Sequence, residues 1–420
     1  MHKTLSPQIP VLVLLLAAGV AANADVASNA KAERPDLLTF GRGTVFVSQS
    51  GLASGSASGA LLAVNGDPYR MSLAVDRQLP VEFVFKLPAA TTFDRFAVPN
   101  VIEQPGNVTF IKSVVVSGSL EGPDSGYQQL ARFELEAHAP DEEVTEVIPE
   151  VQTPVRWIKM LFDGGINIEE GDEGKTNIWF SELIGNGTQE SRELSTAFDG
   201  VWDFRNTERL EHKGIPLDLN QSGATITGCL GTIEINGTVN GAIARATGVD
   251  TRDGRPSAFI FVADEDGSIQ GLWSRNRGRF TARTAVADPA VTSSPCSEAP
   301  PEPKACGASV YVNFDLDSAV IRPESDQVLS DLYDRLLAEE AQRVSIVGHT
   351  STEGSVEHNL DLSERRAQAV VDNLIERGFA AANISATGEG ESQPLVSPDT
   401  TETARELNRR VEISCSADNG

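Results

Sequence analysis

Between about Leu37 and Thr284 the apolar residues come in short β-branched and aromatic runs broken by clusters of Gly, Pro, Asn and Asp. Runs of that length and composition form antiparallel strands joined by turns. The pattern changes after Pro323, where Val328, Leu329, Leu332, Leu336 and Leu337 fall at helical spacing. A chain of 420 residues is too long for one ordinary core, so about two to four domains are expected.

The first segment, 37–187, holds "VEFVFKL", "FDRFAVPN", "FIKSVVVSGSL", "RFELEA", "VRWIKMLF" and "IWFSELIG" and reads as an antiparallel sandwich. The second, 198–284, carries turn signals at Ser222-Gly223, Asn236-Gly237 and Asp266-Gly267 and reads as a small β-barrel or meander. Trp202 and Trp273 near its two ends are expected as core filling. Residues 285–304 are rich in Pro, Ser and Ala, a composition that buries no core, and read as a linker. In 305–416, strands at "VYVNFDLDSAVI", "RVSIVGHT", "NISATGEG" and "RRVEISC" alternate with helices, which predicts an α/β layer with parallel pairing. Pro323 suits a first helical turn, and Ser355 is the favoured cap of the second helix, ahead of Asp361.

The first 24 residues place Lys3, a short apolar run and Ala22-Asn23-Ala24 in the order of a secretory signal, so export to the periplasm or outer membrane is expected. No later stretch approaches the roughly 20 apolar residues of a membrane span. The formal charge is −26, and loss of Lys3 with the signal makes it −26 − 1 = −27. Such a chain repels nucleic acid and anionic lipid unless a local basic patch offsets the total. Four cysteines, Cys229, Cys296, Cys306 and Cys415, allow three pairings and contain no C-x-x-C, so neither zinc nor another metal is expected. The acidic stretch "DGGINIEEGDEG" lacks EF-hand spacing and is expected to be a solvated loop. The histidines are scattered, G-x-S-x-G and H-E-x-x-H are absent, and neither catalysis nor a cofactor is expected.

One helix carries an anomaly. In "NLDLSERRAQAVVDNLIERG", Leu362, Ala367, Val370, Val371, Leu374 and Ile375 share one arc, and Arg366 lies inside it, about 40° from Leu362. Arg365 points the other way, and Asn359, two turns earlier, shares the Arg366 side. A guanidinium on a semi-buried face needs an anionic or carbonyl partner, because it cannot shed its proton. That partner is either internal, with Asp315 and Asp317 as candidates, or a ligand.

The motifs "VNFDLDSAVI", "VGHTSTEGS", "NLDLSERRAQAVVDNLIERG", "GEGESQP" and "LNRRVEI", in that order, closely resemble the OmpA-type C-terminal domain, the peptidoglycan-associating module of cell-envelope proteins. The resemblance implies a groove for the diaminopimelate of a peptidoglycan stem peptide. Arg366 would take its carboxylate, with Asn359, Leu362 and Arg409 (beside Asn408) lining the groove. This chain departs from the family's "GHTD" in having Ser351, which brings no charge; Glu353 either restores the carboxylate or is a solvated loop acid. The resemblance also sets the first and last strands side by side, implying a Cys306–Cys415 bridge and leaving Cys229 with Cys296. The order of the N-terminal strands resembles a discoidin-type, galactose-binding-like jelly roll, which implies a carbohydrate or lipid-headgroup ligand at loops of one end. The whole reads as a non-enzymatic envelope protein that binds peptidoglycan and presents β-domains to a second ligand. An envelope glycan hydrolase targeted by the same module is the alternative.

Overall fold

Val81–Pro99 is one 19-residue strand because alternate residues Val81, Phe83, Phe85 and Leu87 all turn inward and are fully buried. The computed structural model describes residues 34–51, 64, 71–74, 80–99, 109–111, 113–135, 144–164, 177–207, 209–287, 296, 304–341 and 343–416. The expected signal segment, most of the linker and most of the acidic stretch lie outside them.

Among the described residues ten strands build the N-terminal sandwich: β1 (Val45–Ser50), β2 (Met71–Ala74), β3 (Val81–Pro99), β4 (Thr109–Phe110), β5 (Ser113–Ser119), β6 (Gln128–Glu134), β7 (Val144–Val147), β8 (Val155–Gly164), β9 (Asn177–Phe180) and β10 (Ile184–Gln189). The larger sheet runs β1-β3-β8-β5-β6, with β7 and β10 on the far half of β3, and the smaller runs β2-β9-β4. Phe162 of β8 meets Phe180 of β9 at 5.0 Å between ring centroids and Phe83 at 5.5 Å, so aromatic packing joins the sheets.

The next eight strands close a barrel: β11 (Gly200–Asn206), β12 (Ile215–Ser222), β13 (Thr225–Leu230), β14 (Ile233–Asn240), β15 (Ile243–Asp250), β16 (Pro256–Ala263), β17 (Ile269–Arg275) and β18 (Phe280–Val286). Each pairs antiparallel with the next, and β11 with β18 completes the ring. Phe204, Leu219, Ile235, Phe259 and Phe261 fill the interior. Trp273 stacks on Phe259 at 6.2 Å and Trp202 packs at the edge of this core. Two of the three turn signals make turns. Asn236-Gly237 instead sits within β14, opposite Thr227 and Ala246. A Cβ at Gly237 would stand 2.4 Å from the Arg245 carbonyl, so glycine serves close strand approach there, not a turn.

The C-terminal layer contains β19 (Ser309–Val310), α1 (Asp326–Ala338), β20 (Arg343–Gly348), α2 (Val356–Glu376), β21 (Ile384–Gly388), α3 (Glu402–Asn408) and β22 (Val411–Ser416). The sheet order is β19-β22-β20-β21. Only β20 and β21 are parallel; β22 pairs antiparallel with both its neighbours, so the sheet is mixed and not parallel throughout. The expected first strand is also short: it leaves the ladder after Val310, and Phe314 and Ile321 make only an isolated bridge. Pro323 opens a 3-10 turn into α1, and Ser355 caps α2 by accepting from the His358 amide at 3.2 Å. Of the α1 apolar set, Leu337 alone turns outward. Disulfides join Cys229 to Cys296 and Cys306 to Cys415.

Arg34–Gly420 form a single compact unit, and the three parts of it meet in a shared junction. Phe40 and Val45 from the first part, Ala258, Ile260, Val262 and Leu272 from the outer barrel wall, and Tyr311, Val396 and Leu407 from the last make one buried cluster. Asn240 of the barrel donates to the Tyr311 carbonyl at 2.6 Å.

Candidate functional site

Arg366 projects from α2 toward the turn after β19. Its Nε donates to the Ser318 carbonyl at 2.9 Å, and its guanidinium lies 5.1 Å from the centre of the Phe314 ring. Neither Asp315 nor Asp317 pairs with it; Asp317 meets His358 Nε2 at 2.8 Å instead. Among the described residues no carboxylate is in ion-pair contact with Arg366. Burial first, and then the charge of Arg409, draw its pKa down to about 10, against the pull of Asp317 and Glu406. The side chain therefore stays cationic at neutral pH while lacking the counter-charge that its half-buried position calls for.

Arg409 is the opposite case. It donates to Glu353 and Glu406 at 3.2 Å each, and also to Glu402. Burial opposes its charge, but Glu402, Glu406 and Glu353 outweigh burial and raise its pKa. Glu406 also takes Arg42 at 2.7 Å and Arg245 at 3.2 Å, so one carboxylate joins all three parts of the chain. Burial alone would raise the Glu406 pKa; Arg42, Arg409 and Arg245 hold it well below the usual carboxylate range.

Around these arginines the expected residues are ordered by polar contacts. Asn359 is buried and its amide donates to the Ser351 carbonyl at 3.2 Å and to Glu391 at 2.6 Å. Leu362 is buried on the same helix. Ser351 is buried, with its hydroxyl 3.4 Å from Glu353 Oε2. Glu353 is no freely solvated acid, because Arg405 holds it at 3.1 Å and Arg409 at 3.2 Å.

Several residues that shape the site escaped the sequence reading. Phe314 and Ser318 seat Arg366, and Phe314 stands inside "VNFDLDSAVI", where an aromatic beside an unpaired arginine was a usable signal. Asp399 is buried and accepts from the Thr352 amide and from Asn408 Nδ2, both at 3.0 Å. Asn408 in turn accepts from Leu395 and Val396 amides at 2.8 and 3.1 Å, fixing the 395–399 turn.

The geometry, a mixed four-stranded sheet under helices with an arginine seated on an aromatic ring, defines an OmpA-type module, and a model described as "OmpA family" matches residues 313–409. Outer membrane protein A of Bordetella avium is 34% identical over 152 residues, spanning 34% of this chain and 78% of that protein. Outer membrane porin F of Pseudomonas fluorescens is 41% identical over 106 residues, but the chain spans only 32% of its length. Among solved structures, the peptidoglycan-associated lipoprotein from Burkholderia pseudomallei is 29% identical with a TM-score of 0.23, covering 26% of this chain and 89% of that one. The chain belongs to the OmpA family, and that membership carries envelope or outer-membrane association with it. No helix among the described residues is long and apolar enough to cross a membrane.

Proposed function

We propose that the protein is a non-enzymatic anchor that holds its two β-parts to peptidoglycan through the C-terminal module, in the periplasm or at the outer membrane. The observation that carries this reading is Arg366: half-buried, oriented by Ser318 and Phe314, and without an internal carboxylate among the described residues. A carboxylate of the stem peptide supplies the missing charge in a charge-assisted, fork-shaped contact. Asn359 and Leu362 line the approach from α2, and Ser351 and Glu353 face it from the loop after β20. Arg409 acts behind them, setting the position of Glu353. The N-terminal sandwich presents a second binding surface, for a carbohydrate or a lipid headgroup.

The test is co-sedimentation of the full-length protein with purified sacculi. Arg366→Ala is expected to remain folded and to bind about ten- to a hundredfold more weakly. Arg365→Ala, whose exposed side chain pairs with Asp361 at 2.8 Å, is expected to bind normally. Full binding by a folded Arg366→Ala protein would overturn the assignment.

A further inference from the structure

We propose that one open end of the barrel is a membrane-facing surface that docks on anionic phospholipid headgroups. In an up-and-down barrel alternate connections emerge at the same end, which here gathers the β11–β12, β13–β14, β15–β16 and β17–β18 connections. Their contacts make a continuous rim. The Thr207 amide donates to Ala282, Thr251 to Thr232 and Asn276 to Pro256, at 3.2, 3.0 and 2.7 Å.

This rim reverses the charge of the chain. Residues 207–214, 250–255 and 275–279 hold seven Lys and Arg against four acids, 7 − 4 = +3, in a protein of net −26. Asp250 holds Arg252 at 2.9 Å and Arg275 at 3.4 Å, and Asp253 holds Arg255 at 3.4 Å. Arg209, Lys213, Arg277 and Arg279 are exposed and have no acidic partner among the described residues. Arg277 keeps its cation at φ 60°, a left-handed position where glycine is the undemanding choice. Leu210 and Val249, 43% and 52% exposed, add apolar surface at the same end.

Two further facts choose the partner. The opposite end is already occupied: Asp264 and Glu265 meet Lys86 and Arg156 of the sandwich, and the Ala224 amide donates to Asp331 of α1. The rim connections contain no Phe, Tyr or Trp and a single histidine, His212, so they offer no run of large rings on which successive nucleic-acid bases could stack. Charges at loop tips with an apolar point among them suit a flat anionic layer. The remaining negative charge does not forbid the approach, because the screening length is about 8 Å at physiological salt and the rim meets the surface first.

The experiment is co-sedimentation of the full-length protein with vesicles of phosphatidylglycerol mixed into phosphatidylcholine, against phosphatidylcholine alone. Binding is expected only to the anionic vesicles and is expected to disappear near about 0.5 M salt. Arg277→Glu/Arg279→Glu, with an unchanged melting curve, is expected to weaken it by at least about tenfold. Arg365→Glu, on the exposed face of α2, is expected to leave it unchanged. Equal binding to neutral vesicles, no binding at all, or indifference to the rim variant each overturns the proposal. So does retention by a soluble polyphosphate without retention by vesicles. Sacculus binding is read separately and does not enter the result.

Discussion

Arg245 of the barrel and Glu406 of α3 meet at 3.2 Å inside the junction, where their side chains are only 5% and 10% exposed. Glu406 keeps Arg42 and Arg409 when Arg245 is lost, whereas loss of its own charge takes the carboxylate from both Arg42 and Arg245 and leaves Arg409 only Glu353 and Glu402. Removing one partner of a buried pair costs about 3–5 kcal/mol. Arg245→Met is therefore expected near the lower end of that range and Glu406→Gln at or above the upper end. Denaturant midpoints of the full-length protein check the order, and equal effects would contradict the geometry.

The two arginines of the wall site should respond differently to removal. Among the described residues Arg366 has no internal carboxylate to strand, so its loss should show in binding and hardly in stability. Arg409→Gln takes one arginine from Glu353, Glu402 and Glu406 in a largely buried setting and leaves the first two to Arg405 and the third to Arg42 and Arg245, so it should lower the melting temperature. Sacculus binding then falls in proportion to unfolding. A stable Arg409→Gln protein with lost binding would instead make Arg409 a direct ligand contact.

Restoring an aspartate at position 351 is not expected to improve the site on its own. Ser351 is buried with Glu353 Oε2 3.4 Å from its hydroxyl, so Ser351→Asp sets two carboxylates against each other. The expected cost is about 1–3 kcal/mol. Adding Glu353→Gln should recover most of that loss. A double-mutant cycle measures the coupling, and additive effects would show that the two positions do not interact.

Local rules made some of this legible and distance hid the rest. The apolar period of α2 and the Ser355 cap depend on neighbours within a few residues, so the helix and the misfit of Arg366 could be read directly. Tyr311 and Val312 looked like the middle of a strand because they are apolar. They are buried, but Tyr311 packs against barrel strands in the shared junction, a contact no periodicity encodes. The setting of Arg409 is hidden for the same reason. Its counter-charges sit at 353, 402 and 406, and the arginines that share Glu406 come from positions 42 and 245.

Asp36 should give the folded state a pH dependence. Its Oδ1 accepts from the Leu38 and Gly185 amides at 3.0 and 2.9 Å, and the carboxyl is buried. Burial, opposed by those two bonds, pushes its pKa up to about 7. Between the unfolded value near 3.9 and about 7 the native state binds more protons than the unfolded one, so stability falls as pH rises. The full effect is on the order of 4 kcal/mol, from about three units at 1.36 kcal/mol each. Asp36→Asn cannot ionise and should flatten that part of the profile. An unchanged slope between pH 4 and 7 would assign it to other groups.

The Pro-rich stretch between Ala285 and Lys304 should still be the first site of limited proteolysis, because its composition supports no ladder or core of its own. Release is another matter. The barrel wall, Phe40 and Val45 share a buried apolar cluster with Tyr311, Val396 and Leu407, and Asn240 and Arg245 bond across the same junction. The disulfides do not tie the two products, since Cys229–Cys296 falls in one and Cys306–Cys415 in the other for any cut between Cys296 and Cys306. Protein nicked between Cys296 and Cys306 should therefore run as two bands on a denaturing gel without reductant, protein nicked before Cys296 as two bands only after reduction, and both should elute as one species of intact size under native conditions. Arg245→Met should loosen that association and Arg366→Ala should not. Immediate separation of the nicked fragments in native buffer would mean that the junction contributes little to holding the parts together.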